Sequence, residues 1–305
     1  MHISGLKQDF DKKLSSLSGK YTKYQVFADF LEIAAITFGN SPVSQGVLPQ
    51  DDRYKELEER YLKYVPKYGK AGMSTLAQML VIVQLALAQR KGDFLGTFFQ
   101  EAGLKGASLK SVELTPYALA KVMAQMTLGD RASLRQKIEQ KGYVSLDEPA
   151  CGAGIMPIVV TEVMEDMGFD PSRHLFVRAT DKNRLMFCMT YIQLSIYAIP
   201  AVVQHGNTLS QEMWESWETP QLQVMRRHQE IDPAIGLLAL MAELEGERSV
   251  GEAVSGAGEA SGTDESPPAV DDGEARRKKP LLSEDANETS QQLELFDWTG
   301  KLESD

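Results

Sequence analysis

Residues 143–209 read YVSLDEPACGAGIMPIVVTEVMEDMGFDPSRHLFVRATDKNRLMFCMTYIQLSIYAIPAVVQHGNTL, and this stretch decides the fold. YVSLD is a short strand, followed by the glycine turn CGAG. IMPIVVTEVMEDMGF is a helix, with Pro157 tolerable only in its first turn. HLFVRATD is a second strand and KNRLMFCMTYIQLSIYAI a second helix, stopped by Pro200. AVVQHGN is a third strand. This β-α-β-α-β alternation is the pattern of a parallel, doubly wound sheet.

Upstream, residues 1–140 have helical periodicity. In YTKYQVFADFLEIAAITF the apolar Tyr24, Phe27, Leu31, Ala34, Ala35 and Phe38 recur at helical spacing, until Ser41-Pro42 breaks the pattern. RYKELEERYLKYV places Tyr54, Leu57, Tyr61, Leu62 and Val65 on one side of a second helix. STLAQMLVIVQLALAQR is a third, capped by Ser74 and buried on most faces. TPYALAKVMAQMTL is a fourth, with Thr115 as N-cap and Pro116 at its first helical position. No internal repeat is present.

Downstream, QEMWESWETPQLQVMRRHQEIDPAIGLLALMAELEGE is mainly helical in pattern, with no further apolar strand. The sheet therefore has three strands and an open edge, to be covered by a helix near 220–245 or by another chain. Trp214 and Trp217 read as cover for that edge in preference to a base-stacking pair. The stretch 246–290 is rich in Gly, Ser, Glu, Asp and Ala and cannot bury enough surface to offset its ordering entropy.

The 305 residues carry a net charge of −11, but its location matters more than its size. Residues 243–305 hold 17 acidic and 6 basic side chains, leaving 26 of each sign in 1–242. A neutral body with an acidic tail neither demands nor forbids a nucleic-acid partner. Cys151 and Cys188 form neither a disulfide framework nor a zinc pattern, which suits a reducing cytoplasm. The first residues have no apolar signal core. The longest apolar run, Met79 to Ala88, is far short of the roughly 20 residues of a membrane helix. A cytoplasmic protein with no membrane partner is expected. His2, His174, His205 and His228 lack partners at metal-ligand spacing.

The chemistry concentrates at the strand ends. In E-P-A-C-G-A-G, 148–154, Gly152 and Gly154 let backbone approach a ligand, and the helix behind offers free N–H groups to a carboxylate or phosphate. Many strand–turn–helix junctions need glycine for sterics alone, so the turn by itself leaves both readings open. Asp181 ends the second strand, where a carboxylate accepts from both ribose hydroxyls. Asn207 ends the third, where an amide can read an adenine edge. Taken singly, Asp181 could be a helix N-cap and Asn207 a turn residue. All three at successive strand ends is the layout of a nucleoside cofactor in a carboxyl-end crevice.

The order Thr115-Pro116, E-P-A-C-G-A-G at 148–154, Asp181, Y-I-Q-L-S-I-Y at 191–197 and H-G-N-T-L at 205–209 resembles the adenine-N6 DNA methyltransferases. Within them it is most similar to modification subunits of type I restriction systems and their phage and plasmid kin. The resemblance spans roughly residues 20–220. It implies an α/β fold: a truncated Rossmann-like S-adenosylmethionine-dependent methyltransferase sheet preceded by a helical N-terminal region. The expected division is 1–112 helical, 113–245 cofactor-binding, 246–290 disordered acidic linker, 291–298 a binding peptide and 299–305 a tail. By resemblance, Glu148, Pro149, Ala150, Cys151, Gly152 and Gly154 hold the methionine part of S-adenosylmethionine, flanked by Thr115 and Pro116. Asp181 holds the ribose and Asn207 the adenine. The family's usual loop begins with Asp; here Glu148 takes that place, with Asp147 before it.

The family's catalytic tetrapeptide is Asp, Asn or Ser, then Pro-Pro, then an aromatic residue. It accepts the protons of a poorly nucleophilic exocyclic amine and stacks on the flipped base. The only Pro-Pro here, Pro267-Pro268, lies in the low-complexity stretch and precedes Ala269. No catalytic residue is identified, and the expectation is a cofactor-binding family member that acts on DNA but is inactive without a complementing methyltransferase or restriction subunit. The other reading is a non-catalytic adaptor or anti-restriction protein. Gln292-Leu293-Glu294-Leu295-Phe296 resembles the bacterial sliding-clamp-binding motif, in which Gln292, Leu293, Leu295 and Phe296 would engage the clamp. Those apolar side chains, with Trp298, could equally dock on the chain's own body. The basic block Arg276-Arg277-Lys278-Lys279 could touch DNA phosphates near a clamp or simply be solvated.

Overall fold

A computed structural model describes residues 2–104 and 114–231. The described residues all fall within one compact unit, so the helical region and the sheet share one body. The expectations for 246–305, including the clamp-like peptide and the basic block, lie outside the described residues.

The chain opens with α1 (Ile3–Ser16), α2 (Lys23–Ser44), α3 (Asp52–Leu62), α4 (Val65–Gln89) and α5 (Phe94–Glu101). Helix α2 starts at a capping box in which the Thr22 side chain accepts from Gln25 N–H and Gln25 reaches back to Thr22. These helices close on an aromatic cluster. The Phe10 ring lies edge-on to Phe30 at 5.3 Å, Phe94 at 5.8 Å and Phe98 at 4.7 Å. Phe10 is 0% exposed, so its burial contributes about 2–3 kcal/mol and fixes α1 against α2 and α5.

Next come α6 (Tyr117–Leu128), α7 (Arg131–Lys141), β1 (Val144–Glu148), α8 (Ile155–Asp166), the short α9 (Pro171–His174), β2 (Leu175–Asp181), α10 (Arg184–Ile196), β3 (Ala201–Asn207), β4 (Glu212–Glu218) and α11 (Pro220–Ile231). The sheet has the order β1-β2-β3-β4. β1, β2 and β3 are parallel, and β4 is antiparallel to β3. Central β2 is the most buried strand, with Phe176, Val177 and Ala179 enclosed.

Several expectations need correction. The sheet is not doubly wound. Its strand order never reverses, so right-handed crossovers put α8 and α10 on one face, where they touch. Nor are there only three strands: EMWESWE forms β4, which pairs with the open edge of β3. Its mixed polar pattern hid it, because an edge strand buries one face only in part. Trp217 fulfils the covering role, 2% exposed against Phe187 and Tyr191, but Trp214 is 54% exposed.

Ser41-Pro42 does not end α2. Proline cannot donate to the Phe38 carbonyl four residues back, and the Ser41 hydroxyl donates to it instead at 2.8 Å. Ser74 caps nothing: α4 begins at Val65 and bends at Gly69, whose φ of 62° lets the chain change direction before continuing. By length and composition α4 could cross a membrane, contrary to the shorter apolar run read from sequence, yet it buries Met73, Leu76, Met79 and Val83 in the protein core. In α3 only Leu57 is buried, and Leu62 is 54% exposed. The N-cap of α6 is Pro116, not Thr115, and no side chain bonds to it.

Candidate cofactor site at the carboxyl edge of the sheet

The ends of β1, β2 and β3 lie side by side, because the parallel register pairs Glu148 with Ala179 and Asp181 with His205. The loop 149–154 crosses above them. Gly152 (φ 55°) and Gly154 (φ 90°) both occupy the left-handed region that favours glycine. A Cβ on Gly154 would also sit 3.1–3.3 Å from Thr190 of α10. Thr190 in turn donates to the Gly152 carbonyl at 2.8 Å and contacts Cys151 Sγ at 3.5 Å.

Asp181 is the centre of the loop's support. Its Oδ2 accepts Gly152 N–H at 3.0 Å and its Oδ1 accepts Asn183 N–H at 2.8 Å. It is not the N-cap of α10; that is Asn183, whose side chain accepts from Leu185 N–H at 2.9 Å. Burial pushes the Asp181 carboxyl above its ordinary range, against the pull of those two N–H donors. Burial, with Asp147 nearby, also pushes Glu148 up, while Ala150 N–H pulls it down. The Cys151 thiol is buried and raised far above its usual range by desolvation, with Asp181 and Glu148 adding to the shift, which disfavours the thiolate.

Asn207 has a turn role: its Oδ1 accepts Leu209 N–H at 3.1 Å. The next residue, Thr208, donates to the Pro149 carbonyl at 2.7 Å and so fastens the β3–β4 turn to the glycine loop. Thr115 and Pro116 approach through their neighbour. Leu114 Cδ2 lies 3.0 Å from where a Gly152 Cβ would stand. Glu148, Pro149, Ala150, Cys151, Gly152, Gly154, Asp181 and Asn207 thus converge on one edge, with the Thr115-Pro116 segment beside them. Gln292, Leu293, Leu295 and Phe296 lie outside the described residues.

The residues that sequence reasoning missed are the supports. Gln193 is 0% exposed in α10 and joins the loop to α5. A polar side chain in the middle of an apolar helix was the available signal, since an unpartnered buried amide is costly. Gly96 of α5 backs onto the loop so closely that a Cβ would stand 2.6 Å from Ala153 Cβ. Gly206 is also required: its Cβ would meet the Glu212 carbonyl at 2.5 Å. Beside it, β4 bulges, pairing Glu215 with His205 and Met213 with Gly206, so Trp214 is left over and turns onto His205 at 4.9 Å.

A four-member ionic network fastens the hairpin to the helical region. Arg184 pairs with Glu32 at 2.7 Å and with Glu215, while Arg60 pairs with Glu215 at 2.6 Å and with Glu32. The arginines hold Glu32 and Glu215 below the usual carboxylate range, overcoming the burial that opposes this. Among the described residues there is no cluster of His, Cys, Asp and Glu able to hold a metal ion.

No protein-family model matches the chain, and no curated protein matches it. Among solved structures, a Listeria monocytogenes protein named as a class I S-adenosylmethionine-dependent methyltransferase superposes with a TM-score of 0.30 at 14% identity. The match covers 65% of this chain and 51% of that one, so it spans about half of that protein's length. That score is too low to establish a shared fold.

Proposed function

We propose that the carboxyl edge binds S-adenosylmethionine. One observation carries this reading: three of the glycine loop's N–H groups are spent internally, and the loop faces carboxylates. Cys151 N–H donates to Thr180 O, Gly152 N–H to Asp181 and Gly154 N–H to Cys151 O. A pyrophosphate needs such donors free and would meet Glu148 and Asp181 as like charges. A ligand with a sulfonium and an ammonium group is attracted by the same carboxylates. Asp181 retains lone pairs for the ribose hydroxyls, and Asn207 stands one strand further for adenine.

The proposed activity class is that of the adenine-N6 DNA methyltransferases, with DNA as the target and transfer dependent on a complementing methyltransferase or restriction subunit. Beyond the missing tetrapeptide, the topology supports dependence on help. The residues after β4 sit at the far end of the sheet, since Thr219 N–H donates to the carbonyl of Ala201, the first residue of β3. A tetrapeptide following this antiparallel strand could not reach the glycine loop. The absent tetrapeptide leaves a second reading, a non-catalytic adaptor or anti-restriction protein, whose contact with the sliding clamp rests on the sequence likeness of Gln292–Phe296 alone.

Calorimetry of the full chain with S-adenosylmethionine tests the first claim, with NAD as a pyrophosphate-bearing control. Micromolar binding that Asp181→Ala abolishes, with none for NAD, is the expected result. No binding at millimolar cofactor would overturn it. If Leu295→Ala with Phe296→Ala left clamp affinity unchanged, the adaptor reading would fall.

A further inference from the structure

Gln193 spends every polar atom of its amide on two segments that are remote in sequence. Its Oε1 accepts Phe94 N–H at 2.9 Å and Leu95 N–H at 3.2 Å, two of the donors that the first turn of α5 cannot satisfy itself. Its Nε2 donates to Asp93 Oδ1 at 2.9 Å and to the Ala153 carbonyl at 2.8 Å. Ala153 lies between the two left-handed glycines of the loop. The contact is close on the apolar side as well, because Gly96 and Gly152 both pack against Leu114. The start of α5 and the glycine loop therefore cannot move independently without orphaning several buried polar groups.

We infer that Gln193 is a positioning residue that couples the docking of α5, and with it the helical region, to the shape of the cofactor loop. A ligand that orders the loop then tightens α5, and anything that lifts α5 weakens the ligand by the same factor. The inference rests on the loop being the cofactor site. It gives the helical region a role in that site beyond bulk: a partner gripping α1 or α5 would tune cofactor affinity from outside.

The geometry dictates a substitution that separates this role from mere structure. Gln193→Glu keeps the shape and keeps an acceptor for Phe94 and Leu95 N–H. At neutral pH the introduced carboxylate cannot donate to Ala153 or Asp93 and is repelled by both. The charged and titratable groups facing this point are Asp93, Lys7 of α1 and Tyr197, whose hydroxyl accepts Gly92 N–H at 2.9 Å. Protonation on acidification restores one donor.

The test is amide hydrogen exchange on the full chain with and without S-adenosylmethionine, together with calorimetry of wild type, Gln193→Glu and Asp181→Ala. Expected are slowed exchange at Phe94 and Leu95 on cofactor binding, and at least about a tenfold loss of affinity in Gln193→Glu at neutral pH that narrows on acidification. Cofactor binding without any protection of α5, or with undiminished affinity in Gln193→Glu, overturns the coupling and leaves the cofactor site standing. An affinity loss in Gln193→Glu that acidification does not narrow also overturns it. Absence of binding to wild type overturns both.

Discussion

Gly152 donates its backbone N–H to Asp181 Oδ2 at 3.0 Å, so the side chain that ends β2 holds the loop that follows β1. The same carboxylate binds Asn183 N–H and thereby positions the start of α10. One residue thus fixes the two backbone segments that frame the candidate site. Its loss affects the loop before any ligand arrives. Asp181→Asn retains one acceptor for these two N–H groups and removes the charge, so it separates loop support from attraction of a cation. Stability within about 1 kcal/mol of wild type, with markedly weaker S-adenosylmethionine binding, is the expected pair of results from urea denaturation and calorimetry.

On the proposed reading, the carboxylates at the strand ends should discriminate by charge at sulfur. S-adenosylmethionine should bind more tightly than S-adenosylhomocysteine, which lacks the sulfonium charge, and Glu148→Gln should narrow the difference. Burial and Asp147 raise the Glu148 carboxyl. A cation beside it favours the ionised form, so affinity should fall as acidification protonates Glu148. Equal affinities for the two ligands at neutral pH would contradict this.

Gly154→Ala combines a φ of 90° with a Cβ 3.1–3.3 Å from Thr190. The strain and the crowding together should cost about 1–3 kcal/mol, read as a lowered denaturation midpoint. Thr190→Ser in the same chain removes the methyl contact but not the backbone strain, so it should restore only part of the loss.

Asp93 gives stability an unusual pH dependence. Burial raises its carboxyl to about 6, against the pull of Gln193, Gly96 N–H and Lys7. An unfolded aspartate titrates near 3.9, at about which the unfolded chain loses its proton while the folded chain keeps it. Between about pH 4 and pH 6 the native state therefore binds more protons, and stability should fall as pH rises, by roughly 2 kcal/mol. Asp93→Asn should flatten this slope in urea denaturation followed across that window.

The Glu32–Arg60–Arg184–Glu215 network acts in the opposite sense. Its carboxyls are lowered by the two arginines, so their contribution is present above the ordinary glutamate range and is lost as pH falls through the lowered values. Arg184→Met leaves Glu32 with only part of its compensation and should cost about 3 kcal/mol at neutral pH. The accompanying Glu32→Gln should recover some of that loss, because the uncompensated charge disappears with it.

The β-α-β-α-β run was legible because its signals are local. Val, Ile and Leu runs bounded by glycine and proline mark strands, and the apolar helices between them have the right length for crossovers. Glu148, Gly152, Gly154, Asp181 and Asn207 could be placed at strand ends for the same reason, and the parallel register brings those ends together. What these residues bind is a different matter, since position at a strand end does not specify a ligand.

The rest depended on partners remote in the chain. Strand β4 was hidden because E-M-W-E-S-W-E has no apolar alternation of its own; it becomes a strand by pairing with β3 and burying Trp217 under Phe187 and Tyr191. Proline 42 survives in a helix because one serine hydroxyl takes up the carbonyl it strands. Gln193 gained its meaning only when folding placed Ala153 and the start of α5 on either side of its amide. The order of the three parallel strands, the two helices between them and the glycine turn was set by the sequence alone, because backbone preference and hydrophobic period act over a few residues. Tertiary structure alone decided which polar groups answer one another, because a buried hydrogen bond depends on atoms meeting in space.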